Sequence, residues 1–164
     1  MVILLMGVSG SGKTTIGKKL AERLGWRFYE GDQFHPPENI VKMSAGIPLT
    51  DEDRLTWLNT IHNLIQTQLQ NGQSAVIACS ALKKSYRDRL LKGNPGVRIV
   101  YLKGDEELIR QRMEKRESHF MKAAMLSSQF KTLEEPDGVL TVDISQDPSM
   151  IVNTIERELQ TWEG

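Results

Sequence analysis

The chain is short of cysteine: its 164 residues contain one, Cys79. No internal disulfide framework is open to it, so the fold must rest on its core. It also lacks an excess of either charge, with 21 basic and 21 acidic residues. That balance gives no electrostatic footprint for nucleic acid or an anionic membrane surface. No apolar run approaches the ~20 residues of a membrane-spanning helix. An apolar stretch begins at Val2, leaving no room for a signal peptide. Repeats and low-complexity segments are absent. These absences point to a soluble cytoplasmic protein of one domain, residues 1–164, with nothing to suggest a nucleic-acid or membrane partner.

What is present is concentrated near the start. Gly7-Val8-Ser9-Gly10-Ser11-Gly12-Lys13-Thr14 is a complete G-x-x-x-x-G-K-[ST] match. Val2-Ile3-Leu4-Leu5-Met6 before it reads as a strand buried on both faces. After it, Ile16, Leu20 and Leu24 recur every four residues among charged ones, giving a helix with one apolar face, and Gly25 follows as its C-cap. The motif therefore has the strand–loop–helix context that phosphate binding requires. The glycines let the loop curl so that its N–H groups form a nest for phosphate oxygens, aided by the positive end of the helix. Lys13 is expected to reach the β- and γ-phosphates of ATP, Thr14 to ligate Mg²⁺, and Thr15 to join the nucleotide site.

Strands and helices alternate through the rest of the chain. Trp26-Arg27-Phe28-Tyr29 reads as a second strand, Ala75 to Cys79 as a third, residues 97–102 as a fourth and 139–144 as a fifth. Helices are expected at 51–70, 85–92, 105–116, 122–130 and from Asp147-Pro148 onward, with a short one at 38–45. Thr50 and Asp53 have the spacing of a capping box for the long helix. The pattern predicts a three-layer α/β/α fold around a five-stranded parallel sheet, the architecture of a P-loop kinase. Two excursions leave that core. Residues 33–70 sit where an acceptor pocket would be, and residues 113–130, rich in Arg, Lys and His, read as a closing lid.

Candidate residues follow from placement. Asp32 ends the second strand, where open parallel sheets bind ligands, and that strand should lie near the P-loop strand. Asp32 can orient or deprotonate an acceptor hydroxyl, or hold Mg²⁺ through water. The third strand lacks the terminal aspartate of a Walker B motif, so the metal role stays open beside the first. Arg112 and Arg116 share a helix face and can meet nucleotide and charge developing on the transferred phosphoryl group; a solvated basic face is the plain alternative. Arg54 and Arg87 flank the expected pocket as forks suited to a carboxylate, against the alternative of surface arginines. His35 can bind hydroxyls or be an exposed loop histidine, Lys83 can contact phosphate or acceptor or be a surface lysine, and His119 belongs with the lid. Cys79 reads as a small buried hydrophobe, His62 as having no chemical role, and Met43, Trp57 and Tyr86 as packing groups.

The chain resembles the gluconokinase family. The resemblance is carried by residues 7–14, His35-Pro36, Lys42-Met43, Gly46-Ile47-Pro48-Leu49, Asp51-Glu52-Asp53-Arg54, Trp57-Leu58 and Cys79-Ser80-Ala81-Leu82-Lys83-Lys84. It continues through Tyr86-Arg87-Asp88, His119-Phe120, Gln129-Phe130, Thr132-Leu133-Glu134 and Pro136, nearly the whole chain. Ser118 departs from the glycine that the family commonly has before His-Phe. The resemblance implies a nucleoside-monophosphate-kinase-like fold, transfer of the ATP γ-phosphoryl group to the terminal hydroxyl of D-gluconate, and a homodimer. The nearest rivals are a shikimate kinase, expected to carry a glycine run where this chain has Cys79-Ser80-Ala81, and a nucleoside monophosphate kinase. A GTPase-type switch would carry Asn-Lys-x-Asp, which is absent.

Overall fold

The computed structural model describes residues 1–115 and 123–164. Its strands are β1 (Val2–Met6), β2 (Arg27–Glu30), β3 (Ala75–Ala78), β4 (Val97–Lys103) and β5 (Leu140–Asp143), all parallel in one sheet of order β2-β3-β1-β4-β5. β1 takes the centre because all five of its residues are apolar and fully buried, as a strand covered on both faces requires.

Alternation along β1 divides the core. Ile3 and Leu5 pack with α1 (Lys13–Leu24) and α7 (Pro148–Glu163), while Val2, Leu4 and Met6 pack with α3 (Asp51–Gln70) and α4 (Lys84–Leu91). The first layer also takes Ile109 and Met113 of α5 (Glu106–Glu114) and Leu126 of α6 (Ala123–Thr132). A 3-10 turn at Gly31–Phe34 and α2 (Pro37–Ser44) lead from β2 into α3. The three-layer α/β/α arrangement expected from the sequence is the one found.

The caps are also those the sequence contains. Thr50 accepts from the Asp53 N–H while the Asp53 carboxylate accepts from the Thr50 N–H, a complete capping box. Asp105 and Asp147 cap α5 and α7. Strand order is the exception to legibility. β2 is not paired with β1; β3 lies between them. Among the described residues no helix is long and apolar enough to cross a membrane.

Candidate active site

The phosphate loop joins β1 to α1. Gly12 forms the N-cap of α1 with φ 97°, a left-handed conformation that favours glycine, and no side chain caps the helix. The first N–H groups of α1 are thus left for an anion, beside the positive end of the helix dipole. They border a small cleft of about 130 Å³, lined by Gly10, Gly12, Thr14, Thr15, Glu30 and Asp32 together with Ser9 and Lys13. Lys13 Nζ donates to the carbonyls of Gly7 at 2.8 Å and Val8 at 3.0 Å. Burial pulls the Lys13 pKa down, opposed by Asp32 and then Glu30. The Thr14 hydroxyl donates to the Glu30 carboxylate. An acidic group thus stands beside the Thr14 hydroxyl, supplied by β2 rather than by the end of β3.

A larger cavity of about 430 Å³ opens on the side of α2 and α3. Ser9, Lys13 and Asp32 line both this cavity and the phosphate cleft, so the two meet along those three residues. His35 and Trp57 form part of the far wall, stacked with ring centroids 4.3 Å apart. Trp57 is fixed in turn by donating to the Gly31 carbonyl at 2.8 Å. Asn39 Nδ2 donates to the Asp53 carbonyl at 2.8 Å and lies 3.2 Å from His35 Nδ1. A carbonyl only accepts, so Nδ2 is the amide nitrogen there, and His35 Nδ1 must accept its second hydrogen. The ring is then neutral with its proton on Nε2. Burial lowers the His35 pKa, which favours this neutral form.

Arg54 lines the same cavity and is anchored through Nη1, which donates to the Leu49 carbonyl at 2.7 Å and the Tyr86 hydroxyl at 3.1 Å. The Tyr86 hydroxyl donates onward to Asp51, and Lys83 pairs with Asp51 at 2.8 Å. The Lys83 hydrogen bond, then that of Tyr86, holds the Asp51 carboxyl below its ordinary range. A third cleft, of about 300 Å³, flanks the other side of the phosphate loop and is lined by Gly10, Gly12, Thr15, Arg112, Gln146 and Pro148 among others. Ser11 Oγ, on this cleft, is buried without a hydrogen-bond partner among the described residues.

A family model described as an AAA domain matches residues 2–136. The thermosensitive gluconokinase of Escherichia coli strain K12 is 48% identical over 158 residues, spanning 94% of this chain and 83% of that protein. The chain belongs to the gluconokinase family. Solved structures agree. A gluconokinase from Sinorhizobium meliloti 1021 superposes with TM-score 0.84 at 47% identity, over 93% of this chain and 87% of that one. A sugar kinase from Janibacter sp. HTCC2649 superposes with TM-score 0.91 at 46% identity, over 97% and 94% of the two chains.

Within this family framework the expected residues divide. Lys13, Asp32, His35 and Arg54 come together at the larger cavity, and Thr14 and Thr15 at the phosphate cleft, while Arg112 lines the third cleft. Arg116 and His119 lie outside the described residues. Arg87 turns inward instead of flanking the cavity. It is buried, and donates to the carbonyls of Ala81 at 2.8 Å, Leu82 at 3.0 Å and Glu134 at 2.8 Å. Ala81 there has φ 44°, a left-handed angle costly for a residue with a Cβ, so Arg87 clamps a strained loop. Lys83 is likewise not among the cavity-lining residues, being committed to Asp51. His35 is buried, not the exposed loop histidine that was its alternative. Burial pushes the Cys79 thiol up to about 12, consistent with a packing role. His62 bonds the Lys92 carbonyl, away from these clefts. Trp57 and Met43, read as packing groups, line the cavity as well.

Three further residues escape the sequence reading: Glu30 at Thr14, Asn39 behind His35, and Gln129 on the phosphate loop. Glu30 could have been found as a second acid two residues before Asp32. Gln129 is marked in the sequence only by the Gln129-Phe130 resemblance, and Asn39 by nothing local, since its role is set by side-chain geometry.

Proposed function

We propose that this chain transfers the γ-phosphoryl group of ATP to the terminal hydroxyl of D-gluconate, giving 6-phospho-D-gluconate and ADP. The observation that carries the reading is the shared border of Ser9, Lys13 and Asp32, in a chain of the gluconokinase family. A phosphoryl group held in the loop would face an acceptor held in the larger cavity across that border, the arrangement direct transfer needs. Sequence similarity to gluconokinases supports gluconate over shikimate as that acceptor.

The roles follow from each group's chemistry. The nucleoside occupies the third cleft, beside Arg112, and the phosphates lie on the loop N–H groups with Lys13 swung from the Gly7 and Val8 carbonyls onto them. Arg54, anchored by Nη1, offers its other nitrogens to the gluconate carboxylate. His35 Nε2–H donates to a gluconate hydroxyl. Asp32 meets the terminal hydroxyl, orienting it or taking its proton as the oxygen attacks phosphorus and the bond to the β-bridging oxygen breaks, or else holds metal-bound water. Both roles remain part of the reading.

Among the described residues no three His, Cys, Asp or Glu cluster as a metal site. The donor set nevertheless suits Mg²⁺, which takes one or two protein oxygens and fills its shell with water and phosphate. Thr14, Glu30 and Asp32 border one cleft and would hold it there. When bound, Mg²⁺ neutralises charge on the β- and γ-phosphates. In this reading residues 33–70 supply the acceptor pocket and residues 113–130 the lid, with Arg116 assigned to stabilise the transferred phosphoryl group and His119 assigned to the same lid and to substrate binding. The protein works as a cytoplasmic homodimer, a state that light scattering on the purified chain would check.

A coupled assay of ADP release over a panel of sugar acids, shikimate and nucleoside monophosphates tests the assignment. ADP release that depends on gluconate is expected. Release driven by shikimate or a nucleotide, with none from gluconate, would overturn it.

A further inference from the structure

Gln129, on α6, grips one residue of the phosphate loop at two points. Its Oε1 accepts from the Ser9 N–H at 2.7 Å, and its Nε2 donates to Ser9 Oγ at 3.0 Å. The first bond fixes the amide orientation, because a side-chain NH₂ could not accept from a peptide N–H. Ser9 is one of the three residues common to the phosphate cleft and the larger cavity, and Gln129 lines the larger cavity. A neutral amide oxygen therefore occupies a loop N–H at the border that the phosphoryl group must cross. The neighbouring groups are turned inward in the same way, Lys13 onto loop carbonyls and Thr14 onto Glu30.

A phosphate oxygen is a stronger acceptor than an amide carbonyl. Arriving ATP can take the Ser9 N–H from Gln129, and the released amide is already on the wall of the acceptor cavity. Its chemistry suits that second task. One acceptor and two donors match a polyol hydroxyl as well as they match the N–H and hydroxyl of Ser9. A carboxylate in its place would repel phosphate, and an apolar side chain would leave the Ser9 N–H bare.

We infer that Gln129 is a positioning residue that couples the two substrates: it holds Ser9 while the nucleotide is absent, yields that N–H to the γ-phosphate, and turns its amide to the hydroxyls of the acceptor. The inference rests on the gluconate reading above for the identity of that acceptor. Nucleotide binding then tightens acceptor binding, and by linkage the reverse holds to the same factor. One or two neutral hydrogen bonds correspond to a coupling of about five- to thirty-fold.

Calorimetric titration of gluconate, with and without a saturating non-hydrolysable ATP analogue and Mg²⁺, measures that factor. The analogue should tighten gluconate about five- to thirty-fold in the wild type, and by less than about twofold in Gln129→Ala. The affinity of Gln129→Ala for the analogue alone should equal or exceed that of the wild type, because no amide has to be displaced. Gln129→Met, close in length, should behave as Gln129→Ala does, and serves if the shorter variant does not fold. A merely structural role would instead weaken both ligands together and lower the unfolding temperature. Wild-type titrations without coupling, a variant that keeps the wild-type factor, or a variant that binds the analogue more weakly would each overturn the inference. Gluconate that failed to bind the wild type under either condition would refute the acceptor assignment. In that event the analogue affinities of the two variants would still decide whether Gln129 is displaced.

Discussion

Gly31 stands between the last residue of β2 and Asp32, and a side chain there has nowhere to go. A Cβ on Gly31 would lie 2.3 Å from the carbonyl oxygen of Ala78, a backbone atom of β3, and 3.3 Å from its carbon. Neither strand can yield by a rotamer change, so Gly31→Ala must part the ends of β2 and β3 by about 1 Å, at a cost of about 1–3 kcal/mol for overpacking. The same movement loosens the Trp57 bond to the Gly31 carbonyl, worth about 1 kcal/mol. The sum, about 2–4 kcal/mol, lowers the unfolding temperature of a domain this size by about 4–16 °C. Glu30 and Asp32 move with the strand end, and a misplacement of about 1 Å costs on the order of a hundredfold in turnover. Gly17→Ala is the control. Its Cβ would meet Phe28 Cε1, also at 2.3 Å, with Phe28 Cδ1 at 2.9 Å and Leu5 Cδ1 at 3.3 Å, but all three are side-chain atoms, and the half-buried Phe28 ring can rotate where a backbone carbonyl cannot. The helix gains about 1 kcal/mol from alanine, so stability and turnover should stay near wild type. Differential scanning calorimetry and initial-rate measurements on both variants are sufficient. Gly31→Ala with wild-type unfolding temperature and turnover would refute the reasoning, as would equal damage from Gly17→Ala.

Three other outcomes follow from the site. Asp32→Asn should lose about a hundredfold or more in turnover while binding ATP normally, and a Mg²⁺ titration of its rate separates the roles, since only the metal role shifts the Mg²⁺ dependence. His35 is held neutral by burial, so its folded pKa lies below its ordinary value of about 6.5. The unfolded chain then takes up the proton first, and this stability is full above about pH 6.5 and lost as pH falls through the lowered folded value; urea midpoints at pH 5.5 and 7.5 should differ less in His35→Gln than in wild type. Arg87→Met strips the donor from the Ala81 and Glu134 carbonyls, while the Leu82 carbonyl keeps the Glu134 N–H, and should cost about 2–3 kcal/mol by urea denaturation, with no selective loss of gluconate affinity; a gluconate KM raised at unchanged stability would restore Arg87 as a substrate clamp.

The parts of the molecule legible in sequence are those whose cause is local. The run from Val2 to Thr14 announces strand, loop and helix because burial, glycine angles and helix dipole all act within a few residues. The Thr50–Asp53 box is legible for the same reason, and aspartate completes it. The insertion of β3 between β1 and β2 is not legible, since parallel pairing is decided by packing between distant segments. Arg87 misleads because its partners are backbone carbonyls, one of them at Glu134, and no sequence pattern marks a buried arginine satisfied by carbonyls. His35 reads as exposed because it sits in a loop, and its shielding comes from Trp57 on α3. Gln129 is quieter still, meeting Ser9 across 120 residues of chain.

The central claim is that the hydroxyl placed against Asp32 and the phosphate loop is the terminal one of gluconate. A proton-coupled ³¹P NMR spectrum of the product formed from ATP and gluconate tests it directly. Phosphorylation of the terminal CH₂OH gives a phosphate ester flanked by two equivalent or near-equivalent protons, hence a triplet. A doublet, the signature of an ester on one of the secondary CHOH groups, would contradict the account.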